Sequence, residues 1–286
     1  MKIGIIGLGL IGGSLGIDLR SRSGGVASSQ EHYIIGISRH EDTCKIALDK
    51  GIVDRASQDF TALSDAEVVI VCSPIAAISS LVEQIIPYLN PDTIITDVGS
   101  VKYPVVKSCS KLWSRFIGGH PMAGTSSSGI NAAIPNLFTG AAYVFTPTDK
   151  NNAEDVAKLK KIALDLGAIP YICDAKIHDR AVSSISHLPV MISASLIKTC
   201  LQEESNTLDL AQILASSGFR DTSRVGGGNA ELGVMMAKYN RQELLRSLYS
   251  YRDNLDSIID LIKQEKWQDL EDILKSNGEA RPKFLN

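Results

Sequence analysis

The stretch FIGGHPMAGTSSSG, residues 116–129, sets His120 directly before a proline and after two glycines. Proline confines the residue before it to extended or turn geometry, which keeps His120 out of a regular helix. The glycines let backbone approach closely on the other side. An imidazole held this stiffly can take a proton from a hydroxyl while hydride leaves the same carbon. The alternative is a satisfied structural histidine. Ser100 closes the run Asp97-Val98-Gly99-Ser100 at the end of a neighbouring apolar segment, from which it could come within hydrogen-bonding reach of His120. Asp97 itself reads as a structural cap rather than an acid.

A hydride needs an acceptor, and GLGLIGG at 7–13 supplies a place for one. It follows a strand-like run at the N-terminus and opens a helical one. Gly7 permits the tight turn, Gly9 lets backbone approach a pyrophosphate, and Gly12 lets helix pack on strand. Leu10 and Ile11 lie at the helix start, whose N–H groups face the anion. A second run, YIIGI, ends in Ser38, Arg39 and His40, with Glu41 and Asp42 only beyond them. An acid at that point would accept from the ribose hydroxyl of NAD, whereas a hydroxyl and a guanidinium suit a 2′-phosphate. NADP is therefore favoured over NAD, against the alternative that Arg39 is a solvated surface charge. Ser73 and Pro74, at the end of a third run, are expected beside the cofactor.

These residues need strands to carry them. Short apolar runs at 2–6, 33–37, 68–72, 93–97, 115–119, 142–146 and 169–173 are rich in isoleucine and valine, as strands covered on both faces tend to be. Helical patterns such as AAISSLVEQIIPYL and AEDVAKLKKIALDLG alternate with most of them. The expected fold class is α/β: an N-terminal Rossmann-type, doubly wound, mostly parallel sheet over 1–172, then an all-helical domain over 173–286. In the second part, Asn240 and Glu243 read as a capping box. A stripe of Leu244, Leu245, Leu248, Tyr251, Leu255, Ile258, Ile259 and Ile262 follows. It could pack within the chain or against a second subunit, as a homodimer. The segment SRSGGVASSQEH, 21–32, reads as a surface loop.

The 286 residues are 44% hydrophobic and 21% charged, with a formal net charge of −3. That balance lacks the basic field nucleic-acid binding usually needs. Cys44, Cys72, Cys109, Cys173 and Cys200 are widely spaced and form no CxxC pair, which argues against a disulfide framework or a zinc site and for a reducing cytoplasm. Glycines break the apolar start, so no signal peptide is expected, and no run is expected to be long and apolar enough to span a membrane.

GLGLIGGSLG, TDVGSVK (96–102), GGHPMAGT (118–125), HDRAVSSISHLP (178–189) and GFRDTSRVGGGNAELG (218–233), in this order, resemble the prephenate and arogenate dehydrogenases of tyrosine biosynthesis. In detail the chain is similar to the NADP-dependent arogenate dehydrogenases of cyanobacteria. The resemblance implies oxidative decarboxylation of a cyclohexadienol: loss of hydride from the carbinol carbon, of a proton from its oxygen, and of carbon dioxide, leaving an aromatic ring. It implies His120 as the group that polarises the ring hydroxyl and Ser100 as the residue that orients both. Arg224 matches the carboxylate-binding arginine, and His187 a histidine near the substrate's far end, with a core histidine as its alternative. Arg220, beside Asp221, is expected to form only a structural pair. The preference for arogenate over prephenate rests on the family look. Two rivals remain: a 3-hydroxyacid dehydrogenase, for which Lys198 is the nearest candidate lysine, and a non-enzymatic NADP-binding redox sensor.

Overall fold

The computed structural model describes residues 1–21, 32–125 and 127–285. Most of the surface loop expected at 21–32 lies outside the described residues, as does Ser126.

Eight strands form one sheet: β1 (Lys2–Ile6), β2 (Tyr33–Ile37), β3 (Arg55–Ser57), β4 (Val68–Val71), β5 (Ile94–Asp97), β6 (Phe116–Pro121), β7 (Ala142–Thr146) and β8 (Ile169–Ile172). The spatial order is β3-β2-β1-β4-β5-β6-β7-β8, so the direction of winding reverses at β1. Such a reversal opens a crevice at the carboxyl ends of the strands, here β1 and β4. All pairings are parallel except β6 with β7. The sheet is thus the doubly wound, mostly parallel one expected. Each apolar run read as a strand is one, within a residue or two at most ends. β3, the tripeptide Arg-Ala-Ser, has no apolar run to betray it.

Alternate residues of each strand feed opposite layers, because a strand's side chains repeat every two residues. Ile3, Ile5, Val68 and Ile70 pack on one face with Leu15 and Leu19 of α1 (Leu10–Ser21) and Leu159 and Ile162 of α5 (Ala153–Asp165). Ile6, Val69, Val71 and Ile95 pack on the other with Ile78 and Val82 of α3 (Ile75–Ile85) and Val105 and Val106 of α4 (Tyr103–Leu112). The short helix α2 (Glu41–Asp49) links β2 to β3.

After β8 the chain is helical: α6 (Ala175–Val182), a π turn at Ser183–His187, α7 (Leu188–Cys200), α8 (Ser205–Leu214), α9 (Ser217–Ser223), α10 (Ala230–Tyr239), α11 (Arg241–Lys263) and α12 (Trp267–Ala280). α11 starts where expected, but not through a capping box. The Asn240 amide is buried and turns back, donating from Nδ2 to the Asp179 carbonyl at 2.8 Å, while Glu243 pairs with Arg246 at 2.7 Å. Of the α11 stripe, Leu244 is buried, whereas Leu245, Tyr251, Leu255, Ile259 and Ile262 are 36–49% exposed.

The helical run Ala175–Cys200 is, against the sequence reading, long and apolar enough to cross a membrane, with a mean hydropathy of 1.2. Its first half is nonetheless threaded with buried polar side chains: His178, Asp179, Ser183 and His187. Ser183 bonds to Ser247 of α11 at 2.8 Å, and Asp179 accepts from the first N–H groups of α4. Those bonds tie its first half to α4 and α11, while only 22% of its most apolar window is buried.

A buried ion pair braces the end of β5. Lys102 and Asp97 are both fully buried and bonded to each other. The ammonium also donates to the Gly119 carbonyl at 2.6 Å, and the Asp97 carboxylate accepts from the N–H of Gly99 (2.8 Å) and of Gly119 (3.1 Å). Burial lowers the Lys102 pKa, and the adjacent carboxylate opposes that shift. Removing one partner strands the other charge in the interior. Lys102→Met is therefore expected to cost about 3–5 kcal/mol, read as a lower urea midpoint. The double variant with Asp97→Asn should recover part of it; a midpoint unchanged in Lys102→Met would show that the pair braces nothing.

Candidate active site

The glycine turn is shaped by close contact. Gly7 has φ +94°, in the left-handed region, and a Cβ there would strike the Cys72 carbonyl; one on Gly12 would strike the Gly7 carbonyl. A Cβ on Gly9 would meet nothing. That open approach lies at the start of α1, whose first turn holds no acid to repel an anion. Gly7 and Gly12 thus form the cradle, while Gly9, Leu10 and Ile11 face a cavity of about 650 Å³. The residues present fit a dinucleotide.

The cavity lies between the carboxyl ends of the strands and α10. Ser73, Pro74, Ser100 and His120 line it from the sheet side, and Asn229, Glu231, Leu232, Met235 and Met236 from the helical side. Its wall holds no lysine or arginine among the described residues. Ser38 is buried, its Oγ accepting from the His40 N–H at 3.2 Å, while Arg39 and His40 are exposed and lie off the cavity wall. Arg39 makes no ion pair among the described residues.

His120 is only 9% exposed, and it is the next-to-last residue of β6, opposite Val144 of β7. The preceding glycine is required there, since a Cβ on Gly119 would run into the Asp97 carbonyl and the Thr96 hydroxyl. The expected bond between His120 and Ser100 does not form; the two share the cavity wall instead. His120 Nδ1 lies 2.9 Å from His178 Nε2, the rings edge to face with centroids 5.1 Å apart. His178 Nδ1 in turn lies 2.8 Å from Asp179 Oδ1. The Asp179 carboxylate then accepts the N–H groups of Lys102 (2.7 Å) and Tyr103 (2.8 Å), at the start of α4. Burial holds the His120 pKa well below 6.5, and the cationic forms of His178, Lys102 and His187 add to that. At neutral pH the ring is therefore uncharged and able to accept a proton.

Other candidates lie elsewhere. His187 is fully buried behind the wall, which Ser186 lines in its place. Its Nδ1 accepts from Asn240 at 3.2 Å, leaving the buried Nε2 without a hydrogen-bond partner among the described residues. Arg224 is exposed at the end of α9 and does not line the cavity. Arg220 faces Asp221 at 3.7 Å, and Lys198 is exposed and off the wall. Sequence reasoning assigned no role to His178, Asp179 or Glu231. His178-Asp179 was visible only as part of a motif, since nothing local shows that a helix after the last strand returns to the end of β6.

A model of the prephenate dehydrogenase nucleotide-binding domain matches residues 26–171, and one of the prephenate dehydrogenase dimerization domain matches residues 174–276. The chain belongs to the prephenate dehydrogenase family. It is 31% identical to the prephenate dehydrogenase of Lactococcus lactis over 98% of this chain and 76% of that protein. The crystal structure of Synechocystis arogenate dehydrogenase superposes with a TM-score of 0.90 at 49% identity, over 99% of this chain and all of that one. That of Aquifex aeolicus prephenate dehydrogenase with hydroxyphenyl propionate and NAD+ gives 0.90 at 25% identity, over 99% and 98%. The chain is thus a dehydrogenase of tyrosine biosynthesis with an NAD(P)-binding domain.

The second buried histidine gives this dehydrogenase a pH-dependent stability. Burial holds His187 down to about 4 from an ordinary 6.5, with Asp179 opposing and His178 adding. Between those values the unfolded chain takes up a proton that the folded chain refuses. Stability from this group is full above pH 6.5 and falls toward pH 4, by on the order of 1 kcal/mol per pH unit. His187→Asn, whose amide oxygen can replace Nδ1 as acceptor, is expected to flatten the fall in melting temperature between pH 7 and 5. An unchanged fall would assign it to other groups.

Proposed function

We propose that this dehydrogenase acts on L-arogenate with NADP, giving L-tyrosine, carbon dioxide and NADPH. The observation that carries the reading is the uncharged His120 on the wall of a cavity whose other side is the glycine turn. When bound, the nicotinamide supplies the hydride acceptor. His120 takes the proton of the ring hydroxyl, and Ser100, on the same wall, holds that hydroxyl by a hydrogen bond. The bond to the ring carboxylate breaks with its electron pair passing into the ring, and carbon dioxide leaves. The low exposure of His120 keeps bulk water from competing for the transfer.

Glu231 and the hydroxyls of Thr125, Ser127 and Ser128 line the cavity. The ammonium of the arogenate side chain finds an anion and hydroxyl acceptors there, which supports arogenate over prephenate. The 49% identity to Synechocystis arogenate dehydrogenase points the same way. Arg224, exposed and off the wall in this structure, is proposed for a substrate carboxylate on the family resemblance. His187 supports the far end from behind the wall. Ser38, Arg39 and His40 are proposed for the 2′-phosphate, with Gly7, Gly9, Leu10, Ile11, Gly12, Ser73 and Pro74 around the rest of the cofactor. We divide the chain at 172/173, and the exposed apolar stripe of α11, in the stretch matched by the dimerization-domain model, supports a homodimer.

The deciding experiment follows reduced-nicotinamide absorbance with arogenate or prephenate and either cofactor. Turnover is expected with arogenate and NADP. Turnover confined to prephenate would reassign the substrate, and binding without turnover would support a redox sensor. His120→Asn is expected to lower kcat roughly a hundredfold or more with NADP affinity little changed; full activity would remove His120 from the mechanism. Arg39→Ala is expected to weaken NADP roughly tenfold more than NAD, as read by titration. Equal loss for both would place the 2′-phosphate elsewhere.

A further inference from the structure

We propose that His178 and Asp179 are positioning residues that act through His120, fixing its tautomer so that Nε2 faces the cavity as a free base and steadying the imidazolium once the proton arrives. The proposal rests on the reading of His120 as the proton acceptor.

With one proton on His178, the hydrogen bonds allow only one polarity along the row. Each oxygen of the Asp179 carboxylate already accepts a backbone N–H: Oδ1 that of Lys102 at 2.7 Å, Oδ2 that of Tyr103 at 2.8 Å. These amides stand at the start of α4, where the helix dipole favours an anion. A carboxylate so held is an acceptor, so the proton between it and His178 belongs to His178 Nδ1, 2.8 Å away. With that one proton on Nδ1, His178 has a lone pair at Nε2, which can only accept. The facing atom, His120 Nδ1 at 2.9 Å, must be the donor. With its proton on Nδ1, His120 keeps the Nε2 lone pair for substrate. The opposite tautomer would place an N–H in the cavity and abolish the base.

The same row shapes the proton affinity. Of the other ionisable groups packed around His120, the Lys102 ammonium on α4 is turned to Asp97 of β5 and the Gly119 carbonyl. Tyr143 on β7 and Cys72 beyond β4 are held protonated by burial, and burial also keeps His187 of the π turn uncharged at neutral pH. Asp179 is the anion in line with the ring, its pull carried by His178. A buried carboxylate behind an imidazole sets tautomer and orientation and favours the imidazolium without taking the proton itself. The residues also lie on both sides of the division between sheet and helices, so the row forms only when α6 is seated on α4.

The test compares His178→Leu, His178→Gln and His120→Asn with the wild type, using whichever substrate the wild type turns over. Glutamine can donate to Asp179 through its amide nitrogen and accept from His120 through its oxygen, so it keeps the polarity. His178→Leu is expected to lower kcat roughly a hundredfold with KM changed less than about threefold. The acid limb of its kcat/KM profile should move at least about one pH unit lower, because the imidazolium has lost its support. His178→Gln should recover roughly tenfold of the loss. Nitrogen-15 NMR of the unsubstituted enzyme should show His120 protonated at Nδ1 and bare at Nε2; this measurement stands even where His178→Leu fails to fold. The reverse tautomer, or a His178→Leu enzyme with kcat and acid limb unchanged, overturns the proposal. If His120→Asn is inactive while His178→Leu is normal, the relay alone fails. If His120→Asn is fully active, the reading beneath it fails.

Discussion

The carboxylate of Asp179 joins the two halves of the molecule. It belongs to α6, the first helix after the sheet, yet two of its bonds go to backbone N–H groups at the start of α4, in the nucleotide-binding half. A third goes to His178, and the carbonyl of the same residue takes the Asn240 amide at the head of α11. One buried side chain thus fixes how the helical half sits on the strand ends. The cavity between them, and the imidazole that faces it, depend on that seating. An unpaired carboxylate in so dry a place would be costly, and these donors offset that cost.

A second fixed point lies beneath it. The Asp97–Lys102 pair ties the end of β5 to the turn before α4 and to Gly119, one residue before His120. The two buried carboxylates meet different needs. Asp97 is matched by a full cation, and Asp179 by partial charges and an imidazole that can still pass a proton's influence onward. The strand end that carries His120 is thus held from its backbone side by one and from its ring side by the other. That placement suits the proposed proton transfer, in which distance governs the rate.

Much of this architecture could be read in the chain. The apolar runs named the strands because both faces of the sheet are covered, so burial shows as continuous hydrophobicity. β3 escaped notice since an edge tripeptide of Arg-Ala-Ser carries no such mark. His120 was legible through its neighbours, as a proline after it and glycines before it constrain backbone wherever they occur. His178 and Asp179 were not, because their meaning comes from a contact across 58 residues of sequence. The Asn240–Glu243 spacing suggested a cap that tertiary bonding overrode: a buried amide with two partners inside has no reason to fold back on its own helix. The bond expected between Ser100 and His120 is absent although both residues line the same cavity, because a shared position at strand ends does not fix where two side chains point.

Gly119 has a consequence for how variation in this enzyme would be interpreted. Any side chain there would push against the Asp97 carbonyl and the Thr96 hydroxyl, and the strand could yield only by carrying the neighbouring imidazole with it. A survey of substitutions that scored activity alone would rank this glycine among the reacting groups, although it offers the substrate nothing. Sensitivity to substitution along this strand end thus marks where backbone must fit as well as where the proposed chemistry occurs.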